Sequence, residues 1–196
     1  VSTSGRNFCE FEKRSEVLDL QGPLKPDLGS LTLSSLNFNQ QASVNAPDMI
    51  KALASKMLTN GIRPELEVFD FGMINYAKYL IRKGLLVPPY YFNLILGNIA
   101  CAQADLMSLG FMVRELPPDS IWSVGGVGNV QLQMNAMSIV AGGGVRVGLE
   151  DNIWFDSTRT TLASNRDLVE RIIIIAHAMG KKPYSCSEAR DLLGLN

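Results

Sequence analysis

Histidine and paired cysteine are nearly missing from these 196 residues, which hold one His and three Cys. Cys9, Cys101 and Cys186 are widely spaced and form no C-x-x-C pair. That excludes a disulfide framework and a cysteine zinc site, and leaves ordinary buried or half-buried thiols as the expectation. The lone His177 lies in IIIIAHAMG at helical spacing, where a packed or surface role is the plain reading. One imidazole without a cysteine pair builds no closed zinc site in this chain alone. Charge of one sign is lacking too: 18 Lys and Arg stand against 19 Asp and Glu, a net charge of −1. No basic run offers a footprint for nucleic acid or an anionic membrane. The longest purely aliphatic run, Ile172 to Ile175, falls far short of the ~20 residues of a membrane span, and no charged-then-apolar leader opens the chain. A cytoplasmic address follows by default.

What is present is apolar material, 46% of the residues, enough for one substantial core or a large piece of a bigger one. Residues 1–196 are expected to form a single domain. Val1 to Thr3 read as the tail of a strand, and Leu28 to Leu33 as the next strand. NAPDMIKALASKML has Asn45 as a candidate cap, Pro47 in the first turn, and Ile50, Leu53 and Met57 at helical spacing. Beyond it, strands are expected at Glu65 to Asp70, Tyr91 to Leu96, Trp122 to Val124 and Gly144 to Leu149. Helices are expected from about Met73 to Lys83, Ala102 to Val113 and Val130 to Val140, and from an Asn165 cap through His177. Ser185 and Glu188 have capping-box spacing for a short final helix.

Strands alternating with helices at this interval imply an α/β parallel sheet, open or closed into a barrel. A (β/α)8 TIM barrel takes about 250 residues, so five strands and a stub fit its C-terminal five to six βα units better than the whole. An open doubly wound sheet lacks the G-x-G-x-x-G that would recommend it.

Polar residues gather where these strands end: Ser2 and Thr3, Ser30 and Thr32, Glu67 and Asp70, then Arg146, Glu150 and Asp151. In a barrel such ends converge on one mouth, so distant residues can surround one substrate. In AGGGVRVGLEDN, Arg146 and Glu150 share one parity, and a strand there would turn both charges the same way. The plainer reading is a solvated Arg-Glu pair. Arg146 offers a planar fork for a substrate carboxylate, and Glu67 or Asp151 could serve as a base. The glycines at 125, 126, 128 and 142 to 144 either admit a phosphate to the backbone or let helices and strands pack closely.

RPELEVFDFGM at 63–73, LILG at 94–97, GGVG at 125–128, GGGVRVGLEDN at 142–152 and LASNRDLVERI at 162–172 together resemble the β-keto acid cleavage enzymes over the whole length of the chain. The resemblance implies a zinc-dependent (β/α)8 acyltransferase that exchanges acyl groups between a β-keto acid and acetyl-CoA, giving acetoacetate and a new acyl-CoA. It implies Glu150 as the metal ligand, Arg146 as the catalytic arginine that engages substrate, and Asp151 and Glu67 as catalytic acids. Ser2 and Ser30 match the hydroxyls that hold the keto acid's carboxylate, the latter as serine where the family often has threonine. The family's two other zinc ligands, a His-x-His pair on the second barrel strand, are absent from this sequence, which reads as the carboxyl-terminal portion of a member. Asn129 follows GGVG where relatives often carry arginine, a departure that bears on CoA handling. A homo-oligomer is expected by the same resemblance. Two other readings stand beside it: a catalytically incomplete barrel that acts only with a complementary chain or itself, since open parallel edges favour association, and a metal-free barrel that binds a phosphorylated metabolite through its glycine loops.

Overall fold

The computed structural model describes residues 1–5 and 8–195. Its centre is a five-stranded parallel sheet of β1 (Leu28–Thr32), β4 (Arg63–Val68), β5 (Tyr90–Leu96), β6 (Ser120–Gly126) and β7 (Gly144–Val145), adjacent in space in their order along the chain. Two more strands, β2 (Leu36–Asn37) and β3 (Ala42–Ser43), form a separate antiparallel ribbon after β1. Each return to the sheet carries a helix: α2 (Pro47–Thr59), α3 (Phe71–Arg82), α4 (Leu106–Glu115) and α5 (Gln131–Ala141). Helix α1 (Phe11–Ser15) precedes β1, and α6 (Asn165–Ala178) and α7 (Cys186–Leu193) follow β7. Successive βα units in one parallel order are the repeating element of a (β/α)8 wall, and the α/β class expected from the sequence is the one found. A parallel bridge from Ser2 to Ser30 lays the first residues beside β1, as the strand-like start implied.

Alternation explains the two faces of the sheet. Leu66 and Val68 of β4, Phe92 and Leu94 of β5, and Val124 of β6 are buried against the helices, where they meet Leu53, Met57, Ile74, Leu80 and Met112. Each such side chain contributes about 1.5–3 kcal/mol of burial. Register aligns the opposite face into rows: Thr32, Glu67, Asn93 and Ser123 are cross-strand neighbours, and Ser30, Glu65 and Tyr91 form the row below. One side of this sheet is therefore apolar and the other carries acids, amides and hydroxyls.

Several expectations need correction. Asn45 does not cap α2; its N-cap is Ala46, and the Asn45 Oδ1 instead accepts from the buried Arg14 guanidinium at 2.6 Å. Arg14 also donates to the Thr3 and Val44 carbonyls, tying the amino-terminal segment to the residues after β3. Asn165 does not cap α6: Ser164 does, in a reciprocal capping box with Asp167, while the Asn165 side chain accepts from the Leu149 amide at 2.9 Å. The strand expected through Asp70 ends at Val68, because Asp70 caps α3 by accepting from the Met73 amide. The Ser185 and Glu188 capping box of α7 is present. Cys9 and Cys186 are exposed and only Cys101 is half-buried, so the thiols are free but mostly not packed. His177 lies exposed near the end of α6. Among the described residues no helix is long and apolar enough to cross a membrane.

Candidate active site

The last strand is short. β7 ends at Val145, and the Arg146 amide adds one more ladder bond to the Val124 carbonyl at 2.9 Å before the chain turns at Gly148. Helix α5 holds that turn: Asn135, fully buried, donates to the Val124 and Arg146 carbonyls, and Gln131 donates to the Gly148 carbonyl at 2.9 Å. The strand to Leu149 expected from the valine alternation is thus absent. Arg146 and Glu150 still meet, through a turn rather than through strand parity.

Arg146 is the hub. Its Nε donates to Asp151 Oδ2 at 2.7 Å and its Nη2 to Asp151 Oδ1 at 3.2 Å, a two-pronged pair. Nη2 also reaches Glu150 Oε2 at 3.1 Å, and Nη1 reaches Glu67 Oε1, on β4, at 3.4 Å. Side-chain exposure is 9% for Asp151, 19% for Glu67, 20% for Arg146 and 66% for Glu150, which separates two enclosed acids from one that faces solvent. Burial works against the guanidinium's charge, but the three carboxylates outweigh it and raise its proton affinity above the ordinary value. Gly125 makes room for this side chain, since a Cβ there would lie 3.1 Å from Arg146 Cδ.

Glu67 takes one strong hydrogen bond, from Thr32 Oγ1 at 2.6 Å. Its pKa is raised, first by burial and further by the charges of Glu65 and Glu150, against the opposing pull of Thr32 and Arg146. A carboxyl held this way can carry a proton closer to neutral pH than a solvated one. Together with Ser2, Ser4, Leu36, Phe38, Ser43, Phe69, Ile95 and Val127, these charged residues and Thr32 line a cavity of about 120 Å³ at the carboxyl ends of the strands.

Most of the residues singled out in the sequence come together here: Ser2, Glu67, Arg146, Glu150 and Asp151 all line the cavity. Ser30 does not. It sits one row lower and its Oγ donates to the Val1 carbonyl at 3.3 Å, while Thr32, two residues nearer the mouth on the same face, lines the cavity. Thr3 donates to the Ser30 carbonyl and is structural. Sequence reasoning placed Thr32 among the polar strand ends without singling it out, although its parity and position were readable, and missed Gln131 and Asn135, whose contacts are made only across the fold. Packing accounts for Gly126 and Gly143, since a Cβ on Gly126 would lie 2.8 Å from the Val130 carbonyl oxygen and one on Gly143 would overlap the Trp122 ring, while Gly128 and Gly142 have open space and hold left-handed backbone at φ of 66° and 88°. Asn129 is engaged by Arg159, whose Nε donates to its Oδ1 at 3.0 Å, so an arginine from another segment stands at that position.

No group of three His, Cys, Asp or Glu side chains placed to hold a metal ion occurs among the described residues. Zinc takes three or four such ligands, so these residues do not by themselves fit it. A larger hollow of about 430 Å³ lies at the opposite ends of the strands, around Ile62, Arg63, Pro64 and Leu86. Two of its charged groups are engaged within the fold, Arg63 on the Val87, Pro89 and Gly194 carbonyls and Asp27 on Arg190. The arginine and the three acids line the smaller cavity.

A parallel βα wall with an arginine and enclosed carboxylates at the strands' carboxyl ends has the general plan of a barrel enzyme. Residues 1–195 match the sequence profile of the beta-keto acid cleavage enzymes, and the chain belongs to that family. It is 40% identical over 175 residues to the 3-keto-5-aminohexanoate cleavage enzyme of Fusobacterium nucleatum, covering 88% of this chain and 62% of that protein. It is 37% identical to the enzyme of that name from Acetoanaerobium sticklandii, covering 63% of it. A 3-oxoadipate:acetyl-CoA acetyltransferase of Cupriavidus necator is 34% identical across the whole chain, which spans 68% of that protein. The chain thus spans a little under two thirds of the first two relatives. Among solved structures, ObcA, both apo and in binary complex with oxaloacetate, superposes with a TM-score of 0.77 at 22% identity, over 99% and 100% of this chain and 50% and 52% of the other, a likeness of fold.

Proposed function

We propose that this protein exchanges acyl groups between a β-keto acid and acetyl-CoA, giving acetoacetate and a new acyl-CoA. The observation that carries the reading is the meeting of Arg146 with Glu67, Glu150 and Asp151 within 3.4 Å at one cavity. The relatives' names supply the substrate class: a keto acid cleavage enzyme, and an acetyltransferase that uses acetyl-CoA.

The exchange balances without an outside reagent. Loss of the proton between the keto and carboxylate groups gives an enolate, whose carbon attacks the acetyl thioester and expels CoA thiolate. The thiolate then adds to the original keto carbon, the carbon–carbon bond breaks, and the departing acetoacetate enolate takes back a proton. Glu67 suits the proton transfer, because its enclosed carboxyl has a raised pKa and only one short donor. Asp151, with both oxygens on Arg146, holds the guanidinium's fork toward the cavity, where it would engage the carboxylate and the enolate charge. Ser2 and Thr32 would orient the keto acid, with Ser30 supporting from the row beneath.

A zinc ion with Glu150 as one ligand belongs to the same proposal, its other ligands coming from outside the described residues. Stoichiometric zinc in the purified protein is the check on that element. Residues 1–196 acting as one domain, a cytoplasmic setting consistent with three free thiols, and self-association complete the reading. The exposed apolar side chains of Phe71, Leu106, Met107 and Phe111 favour association. A second reading, action only with a complementary chain, is favoured by the position of β7 at the edge of the sheet with no further strand beside it among the described residues, and sizing chromatography separates it: a monodisperse monomer that makes acetoacetate refutes it.

The test is acetoacetate formation from acetyl-CoA and a panel of β-keto acids. Glu67→Gln is expected to lower kcat by about 10²–10⁴ with little change in KM for acetyl-CoA. No acetoacetate from any member of the panel overturns the proposal.

A further inference from the structure

Beneath Glu67 the open face of the sheet carries a second carboxylate that the reaction above does not use. Glu65 lies two residues earlier on β4 and on the same face, about 6.6 Å along the strand. Its Oε1 accepts from Asn93 Nδ2 at 2.6 Å. Asn93 is buried and is the direct cross-strand partner of Glu67. Its Oδ1 in turn accepts from Ser123 Oγ at 3.1 Å, and Ser123 shares a hydrogen bond with the Tyr91 hydroxyl at 3.0 Å.

The consequence lies in what Glu67 is denied. An amide on its cross-strand neighbour is a natural donor for a buried carboxylate, yet this one is turned to Glu65. Glu67 keeps one short donor, Thr32, and a 3.4 Å approach of Arg146. We propose that Glu65 is a positioning residue: by taking the Asn93 amide and placing a like charge below Glu67, it keeps that carboxyl short of donors and ready to exchange a proton with substrate. Polar groups facing Glu67 come from every neighbouring element. Thr32 stands on β1, Glu65 on its own strand, Asn93 and Tyr91 on β5, and Arg146, Glu150 and Asp151 on the segment after β7. Of these, Glu65 alone acts by withholding a donor.

This role rests on the reading that Glu67 exchanges a proton, so its test is read without substrate. In the full chain, the Glu67 carboxyl is followed by ¹³C NMR against pH, with Glu67→Gln identifying its signal. Glu65→Ala releases the Asn93 amide and removes the like charge, so the Glu67 midpoint moves to lower pH, a loss of at least about threefold in proton affinity. Glu65→Gln keeps an acceptor for Asn93 and gives a smaller movement in the same direction. Ser123→Ala cuts the far end of the network without touching charge and leaves the midpoint in place. A midpoint unmoved in both Glu65 variants overturns the proposal, as does one that Ser123→Ala moves equally far. If Glu65→Ala does not fold, an unmoved midpoint in Glu65→Gln suffices to reject it. Because acetoacetate formation is measured separately, a protein without acyl-transfer activity still returns a result for Glu65.

Discussion

Replacing Arg146 by Met keeps much of the side chain's length and removes its charge, and the structure sets the size of the effect. Three carboxylates contact the guanidinium, but they are not equal. The Glu150 carboxylate is 66% exposed, and a pair of that kind is worth about 0–1 kcal/mol. Asp151 is 9% exposed and receives two bonds from the guanidinium, and Glu67 is 19% exposed. Removing the cation strands these two acids, and breaking an enclosed pair from one side costs about 3–5 kcal/mol. With a urea dependence of about 2 kcal/mol/M, the unfolding midpoint at pH 7 falls by about 1.5–2.5 M, a large share of a total of about 5–15 kcal/mol. Acidification should narrow the gap. A carboxyl whose folded pKa is raised stabilises the fold below its unfolded value and loses that contribution as pH rises through the folded value. Glu67 is raised already, and loses the opposing pull of Arg146 in the variant. Urea unfolding at pH 7 and pH 4.5 measures both effects. A loss below about 1 kcal/mol, or a Glu150→Gln variant as unstable as Asp151→Asn, would refute the assignment of the enclosed acids to this cation.

Two further outcomes follow from the same geometry. Glu67→Gln removes a carboxyl that binds its proton more tightly in the fold than in the unfolded chain, so its stability relative to wild type should rise with pH above about 4; thermal unfolding between pH 4 and 8 checks this, and a falling difference contradicts it. Gly125→Ala puts a Cβ 3.1 Å from Arg146 Cδ and 3.3 Å from its Cβ and Cγ, so the side chain must shift. Overpacking of about 1–3 kcal/mol is expected, together with a drop in kcat of up to about 10²-fold, the cost of a misplacement of about 1 Å; full activity would mean that Arg146 does not need this position.

How much of this was legible beforehand follows from the range of the forces involved. Strands β1, β4 and β5 are marked by local alternation, and their parallel order by the helices between them, so wall and mouth could be read from Leu28, Glu65 and Tyr91 onward. The charges at 67, 146, 150 and 151 stood out because a strand end has no other local use for them. Three kinds of feature were hidden. The two-residue strands β2 and β3 are too short to show alternation at all. Caps were misassigned where several residues of the right type compete: Asn45 is claimed by a buried guanidinium 31 positions earlier, and Asn165 by the Leu149 amide, so Ala46 and Ser164 take the cap positions. Ser30 and Thr32 share a face, and only the depth of the cavity, which Thr32 lines and Ser30 does not, separates them. Depth also decides the roles of Glu65 and Glu67. In RPELEV the two acids are indistinguishable by type and parity; the register brings Thr32 and Arg146 to one and the Asn93 amide to the other. Two copies of one residue type, separated by a single step of the pleat, are thus made different by partners that lie 28 to 79 positions away in the chain.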